Sequence, residues 1–213
     1  MICLDKSYFE TLGKVPRLNL INSCMGYKSA NLIGTVSKNG DTNLAVFSSI
    51  THLGSDPALL GFILRPTSVP RHTYSNLKEM GYFSVNAISE SIITEAHQTS
   101  ANYPKEVSEF EATGITVEWK QGITIPFVDK SPVQLYCKYL NEYTIHENET
   151  IHVIASIEKI YVNESMLNDD YWIQLDKGNV VTINGLDGYA STELIERFPY
   201  ARVRKIKELI NKS

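Results

Sequence analysis

Cysteine is scarce in this chain. Cys3, Cys24 and Cys137 are the three present, odd in number and without Cys-x-x-Cys spacing, which excludes a disulfide framework and a thiolate zinc site and fits a reducing cytoplasm. Long apolar runs are missing too. No stretch approaches the roughly eighteen apolar residues of a membrane span, and Asp5 and Lys6 interrupt the first residues, so the expected location is cytoplasmic. Positive charge is never massed: 20 Lys and Arg stand against 24 Asp and Glu, for a net charge of −4. That argues against nucleic acid or an anionic membrane as the main partner. The local exception, ARVRKIKELI from Ala201, reads as the end of a C-terminal helix whose cations complement the dipole. No Gly-x-Gly-x-x-Gly follows a predicted strand, and no phosphate-binding Gly-x-x-x-x-Gly-Lys-Ser/Thr or Gly-x-Ser-x-Gly nucleophile elbow occurs. His52, His72, His97, His146 and His152 lack zinc-ligand spacing, so no metal is expected.

What is there suits one globular domain over residues 1–213, with 43% hydrophobic content to build a core. Ala30–Ser37 and Thr42–Ile50 are β-favouring runs separated by Lys38-Asn39-Gly40-Asp41, and Asn-Gly between such runs is a strong hairpin signal. Asp56-Pro57 breaks the chain, and Leu59–Leu64 then resumes as an apolar run suited to a strand buried on both faces. Gly61 within it permits close approach of a neighbouring group. A helix from Val69 to Met80, a strand over Tyr82–Ile88 and a second helix capped by Ser89 and reaching toward Thr99 follow. After a short helix around Glu106–Ala112, strands are predicted at Ile115–Trp119, Val133–Tyr143 and Thr150–Val162. Hairpin-linked strands with few helices between them indicate a mainly β fold with peripheral helices, an antiparallel barrel and not a doubly wound sheet. The tail from Asp169 is expected to pack on that barrel.

The segment from Asn43 to Asn76 carries the functional signal. Ser48, Ser49 and Thr51 sit in an apolar strand, where buried hydroxyls are costly without partners, so a bound ligand is the expected partner. With Phe47 they leave room for a planar ring read by backbone N–H and C=O groups. Arg65, Thr67, Ser68, Arg71, His72 and Thr73 then crowd beside Pro70, where a helix is expected to begin. Cations and hydroxyls at a helix N-terminus favour a phosphate dianion. Asn43 could follow the hairpin turn and Phe47 could be core.

Three pieces, NLAVFSSITHLGSDPALLGFILRP, RHTYSNLKEMGYFSVN and HQTSANYPKEVSEFEATGI, resemble the flavin reductase-like family, which includes flavoredoxins. The resemblance spans roughly residues 17 to 162. It implies an FMN-binding split β-barrel of Greek-key type. It also implies oxidoreductase activity, with FMN as cofactor, NAD(P)H or a partner protein as electron donor, and a homodimer with flavin near the subunit interface. Carried over residue by residue, it assigns cofactor contact to Asn43, Phe47, Ser48, Ser49, Thr51, Arg71 and Thr73, while Arg65, Ser68 and His72 join them on charge and position. No catalytic side chain is named, because the cofactor carries the redox chemistry.

Many family members have Gly-Asp-His opening a late strand near the nicotinamide. Here that stretch reads Asn148-Glu149-Thr150, with His152 two places on, on the same strand face but displaced by roughly 7 Å. Lys28, His97, Thr99, His152 and Tyr189 are the candidates for the substrate side of the pocket. Each has a plainer reading as a surface lysine, a helix-end residue, a strand residue or a turn anchor. Two alternatives stand beside the reductase: a non-catalytic FMN-binding or sensing module, and an enzyme like the pyridoxamine-phosphate oxidases. The latter needs a second anion site, and the sequence shows one basic cluster.

Overall fold

The computed structural model describes residues 1–202; the predicted C-terminal helix lies outside the described residues apart from its first two positions. The chain opens with two helices that the sequence reading did not include, α1 (Lys6–Thr11) and α2 (Lys14–Ser23). Strands follow as β1 (Lys28–Ser29), β2 (Asn31–Val36), β3 (Thr42–Phe47), β4 (Thr51–Ser55) and β5 (Ala58–Leu64). Helix α3 (His72–Met80) leads to β6 (Tyr82–Ala87), α4 (Ile93–Gln98) and α5 (Glu109–Thr113). The remainder is β7 (Val117–Glu118), β8 (Phe127–Val128), the long hairpin β9 (Val133–Ile145) and β10 (Thr150–Val162), then β11 (Val181–Asn184) and β12 (Gly188–Ser191).

Seven strands form one antiparallel sheet in the order β3-β2-β6-β9-β10-β5-β4. Its two edge strands, β3 and β4, are consecutive in the chain, joined by Ser48–Ile50 alone. In a flat sheet those edges would stand about 29 Å apart, six spacings of about 4.8 Å. The four-residue step from Phe47 to Thr51 reaches about 14 Å at most. The sheet therefore curls until its edges approach, and since β3 and β4 do not pair, the result is a split β-barrel. The alternation of each strand fills the interior. Ile33, Leu60, Phe62, Leu64, Phe83, Val85, Cys137, Ile151, Val153 and Ala155 form one buried cluster, with Leu77 of α3 packed among them. Phe47, Phe62 and Phe83 run through it edge to face, at centroid separations of 5.4 and 5.6 Å.

The outer side of β2 and β3 is covered as well. Leu32 and Leu44 pack with Ala96 of α4, Phe110 of α5, and Val181 and Ile183 of β11. Strands β1, β11 and β12 make a second, three-stranded sheet, which brings part of the tail beside the barrel.

Several expected boundaries move for identifiable reasons. The Asn39-Gly40 hairpin forms, with Gly40 at φ +93°, but β3 stops at Phe47 instead of Ile50. Thr51–Ser55 is a separate edge strand, and Asp56-Pro57 turns it into β5. The α3 helix starts at His72 and not at Val69, because a residue before proline is driven out of the α region and Arg71 is extended as the N-cap. Its other end falls where expected, at Gly81, which has φ +71°. Ser89 does not cap a helix with its side chain: its Oγ meets Ser91 Oγ at 3.0 Å and a short 3-10 turn intervenes before α4. In β5 the buried face is Leu60, Phe62 and Leu64, while Leu59 and Ile63 on the other face are half-buried, so the run is not covered equally on both sides.

Candidate functional site

The candidate residues fall into three groups strung along β3 and its continuation. The first gathers where α3 begins. Hairpin register sets Asn43 opposite Thr35, and Asn43 Nδ2 donates to Thr35 Oγ1 at 3.3 Å and to Thr73 Oγ1 at 3.1 Å. Asn76 Nδ2 donates to the same Thr35 oxygen at 3.0 Å. All four residues are buried. Because Thr73 Oγ1 accepts from Asn43, its own O–H remains available to donate outward.

Beside this network, α3 has no side chain capping its N-terminus, so its first N–H groups point at whatever lies beyond the helix. Arg71, the N-cap residue, buries its Nε without a hydrogen-bond partner among the described residues. A buried guanidinium N–H lacking an acceptor, next to an uncapped helix N-terminus and a free threonine O–H, is matched by an anionic oxygen such as that of a phosphate. His72 occupies the first helical position, half-buried. Arg65 and Ser68, by contrast, are exposed in the linker between β5 and α3.

The second group lies at the other end of β3, about 13 Å from Asn43 at ordinary strand rise. Phe47 is half-buried against Phe62, so its ring serves the core. Ser49 continues the β4–β5 hairpin register past the Thr51–Gly61 pair: its Oγ accepts from Ile63 N at 3.0 Å and donates to Ile63 O at 3.2 Å. Its hydroxyl thus has protein partners, which the sequence reading had assigned to a ligand. On the other side, Ser29 Oγ donates to Ile50 O at 3.1 Å. Ser48 is half-buried and Thr51 exposed, their connecting backbone held between these two anchors. Thr51 pairs with Gly61, and His152 Nε2 lies over Gly61, so His152 belongs to this outer barrel face. Thr150 is tied into the preceding turn, its N–H and Oγ1 both donating to Asn148 Oδ1.

The third group is on the small sheet. Lys28, Ile183 and Tyr189 are directly opposed across β1, β11 and β12 and share a face. Lys28 Nζ donates to the Asn22 and Gly185 carbonyls at 3.2 and 3.3 Å. The His97 and Tyr189 rings meet edge to face at 5.8 Å, with Nδ1 and the phenol oxygen 3.4 Å apart. Burial, with help from Asp187, raises the Tyr189 phenol above its ordinary pKa and keeps it neutral. Thr99 is buried, and its Oγ1 donates to Ala96 O at 2.8 Å, closing the end of α4 without facing a pocket.

Thr35, Asn76 and Glu109 were not singled out from sequence. Thr35 had a signal in the hairpin register opposite Asn43, and Asn76 in its i+3 spacing from Thr73. Glu109 had none, because it reaches β3 from a helix 65 positions away, where its Oε2 accepts from Leu44 N at 2.9 Å. Burial raises its carboxyl above the ordinary range, opposed by the Leu44 N–H and by His72.

A broad groove of about 930 Å³, lined in part by Glu118, Lys120, Lys130, Gln134 and Tyr161, shares no residue with these groups. Within it Lys120 pairs with Glu118, and Gln134 donates to Glu118 and to Val128 O. Chemistry, and not void volume, therefore places the candidate site along β3.

An antiparallel sheet curled into a split barrel, with an anion-receptive helix start at one end of an edge strand and an anchored loop at the other, defines the class. The model of the flavin reductase like domain matches residues 25–179, and the chain belongs to this family. A split-barrel protein from Shewanella frigidimarina NCIMB 400, grouped with the flavin reductases, is 40% identical, with a TM-score of 0.91 over 94% of this chain and 100% of its own. The fold is also that of Pseudomonas fluorescens 2-nitrobenzoate 2-nitroreductase NbaA (20% identity, TM-score 0.79, 96% and 98% covered). It is shared with the flavoredoxin of Desulfovibrio vulgaris (19%, 0.71, 82% and 92%).

Proposed function

We propose that this chain is an FMN-binding oxidoreductase of the flavin reductase or flavoredoxin type. In this reading it takes electrons from a reduced nicotinamide or a partner protein and passes them to an acceptor. The observation that carries the reading is the buried, unpartnered Nε of Arg71 at the uncapped start of α3. When bound, FMN supplies the redox-active ring, which the protein does not have to build from side chains. Arg71, the Thr73 hydroxyl and the first N–H groups of α3 hold the phosphate, with Asn43 and Asn76 fixing Thr73 and Thr35 behind it. The Ser48–Thr51 backbone, anchored through Ser49 and Ser29, orients the ring and excludes water from its edge. Its N–H groups would favour negative charge developing on the ring's pyrimidine side.

The working molecule in this reading is a cytoplasmic homodimer. Among the described residues neither α1 nor α2 buries a side chain, and Val15, Leu18, Ile21 and Met25 stand exposed along α2 and just beyond it. A second copy is the partner the family resemblance implies. An electron carrier reduced by another protein is favoured over direct nicotinamide reduction by one observation: Thr150 is locked into the turn at Asn148, and His152 is packed on Gly61.

Titration by quenching of flavin fluorescence tests the cofactor reading. FMN should bind at least ten times more tightly than riboflavin. Arg71→Ala should weaken FMN by about ten- to a hundredfold and leave riboflavin unchanged, as expected for loss of a charge-assisted contact. Equal affinities for the two flavins would refute the phosphate site. Anaerobic mixing of FMN-loaded protein with NADH or NADPH separates the donors. Bleaching of the flavin band near about 450 nm at a saturating rate supports direct reduction, while bleaching by dithionite alone supports the carrier.

A further inference from the structure

We infer that Glu109 is a positioning residue for the phosphate end of the site, acting through β3 and not by touching the ligand. Among the described residues β3 is an edge of the barrel sheet and pairs with β2 alone, so its outward N–H groups lack ladder partners. One of these, Leu44 N–H, is buried and is taken by Glu109 Oε2 at 2.9 Å. Two residues earlier, Thr42 Oγ1 lies 2.7 Å from Ser108 Oγ. The start of α5 therefore grips β3 on both sides of Asn43, the residue whose amide reaches Thr73 and Thr35 on the opposite side. Strand register makes this effective. Residues 42 and 44 share one face while 43 faces the other, so releasing β3 from α5 would change how Asn43 sits against Thr73. Glu109 is 6% exposed, a costly placement for a charge, and what it secures is the position of the strand segment that aims the phosphate-binding hydroxyl.

This inference rests on the FMN reading and is tested so that the two can fail separately. Glu109→Ala, Glu109→Gln, Ser108→Ala, Asn43→Ala and the Asn43→Ala/Glu109→Ala double variant are titrated with FMN and with riboflavin, with urea midpoints recorded in parallel. Glu109→Ala should weaken FMN about tenfold and riboflavin less than about twofold. Glu109→Gln keeps an oxygen acceptor for Leu44 N–H and should return FMN affinity to within about threefold of the parent. In the Asn43→Ala background the Glu109→Ala loss should vanish, because coupled residues are not additive. Should Glu109→Ala fail to fold, Ser108→Ala reports on the same grip with a smaller, still FMN-selective loss. Equal losses for both flavins, failure of Glu109→Gln to rescue, or additive effects with Asn43→Ala would overturn the positioning role while the FMN reading stands. A parent protein with no preference for FMN would overturn the reading beneath it.

Discussion

His152 lies across Gly61: a Cβ added at Gly61 would stand 2.5 Å from the imidazole Nε2, with Leu53 Cδ1 at 2.9 Å and the Val153 carbonyl at 3.2 Å. The glycine in β5 is thus the space in which a β10 side chain sits. The expectation that Gly61 admits a close neighbour is met by a histidine ring.

Gly61→Ala should therefore destabilise the fold by about 1–3 kcal/mol through overpacking. Adding His152→Ala should recover part of that loss, though not all, since Val153 O is backbone and cannot withdraw. Urea denaturation of the two single variants and the double variant measures this. A Gly61→Ala midpoint equal to that of the parent would show that the ring moves aside at no cost.

Asn43→Ala should cost about 1–3 kcal/mol, because it leaves buried hydroxyls of Thr35 and Thr73 with fewer partners. Asn43 Nδ2 serves both of them. Equilibrium unfolding without flavin isolates this term from ligand binding. A change below about 0.5 kcal/mol would mean that the network repacks around the loss.

Ser49→Ala removes both hydrogen bonds to Ile63 and frees one anchor of the Ser48–Ile50 connection. In the proposed reading this end of the site meets the ring, so FMN and riboflavin should lose affinity alike, by about three- to tenfold. This contrasts with the FMN-selective loss expected for Arg71→Ala. A phosphate-selective loss in Ser49→Ala would contradict the assignment of the two ends.

Acid stability depends in part on Glu142. Burial opposes ionisation of this carboxyl, but hydrogen bonds from Tyr74 and Tyr139 and the charge of Lys78 outweigh it and hold its pKa below the ordinary value. A depressed carboxyl contributes stability that is present above its unfolded pKa and lost as pH falls through the folded one. Urea midpoints should therefore decline below the ordinary glutamate value of 4.5, and Glu142→Gln should flatten that decline. Parallel acid limbs in the parent and the variant would remove Glu142 from the account.

Light scattering at micromolar concentration should return twice the 24.0 kDa chain mass, consistent with the exposed apolar residues of the N-terminal helices. A monomer that still binds FMN would exclude the dimer from the cofactor site.

Local signals in the sequence determined the local structure. Asn39-Gly40 set the hairpin, because glycine tolerates the positive φ the turn requires. Gly81 ended α3 for the same reason. The apolar run Leu59–Leu64 and the β-favouring stretches at Tyr82–Ile88 and Thr150–Val162 marked β5, β6 and β10. The basic, hydroxyl-bearing stretch up to Thr73 suggested a helix start, and Arg71 and Thr73 do lie at one. Tertiary structure decided which of those side chains are spent on the protein itself. Ser49 and Thr99 carry the same hydroxyl chemistry as Thr73, yet they bond to Ile63 and Ala96, while Arg65 and Ser68 remain exposed in the linker. The β4–β5 hairpin register, continued past the Thr51–Gly61 pair, brought Ser49 to Ile63. The packing of α5 on β3 carried Glu109 to Leu44 across 65 positions. Contacts of that separation leave no periodic mark in a single chain, because each depends on where two independently formed elements meet.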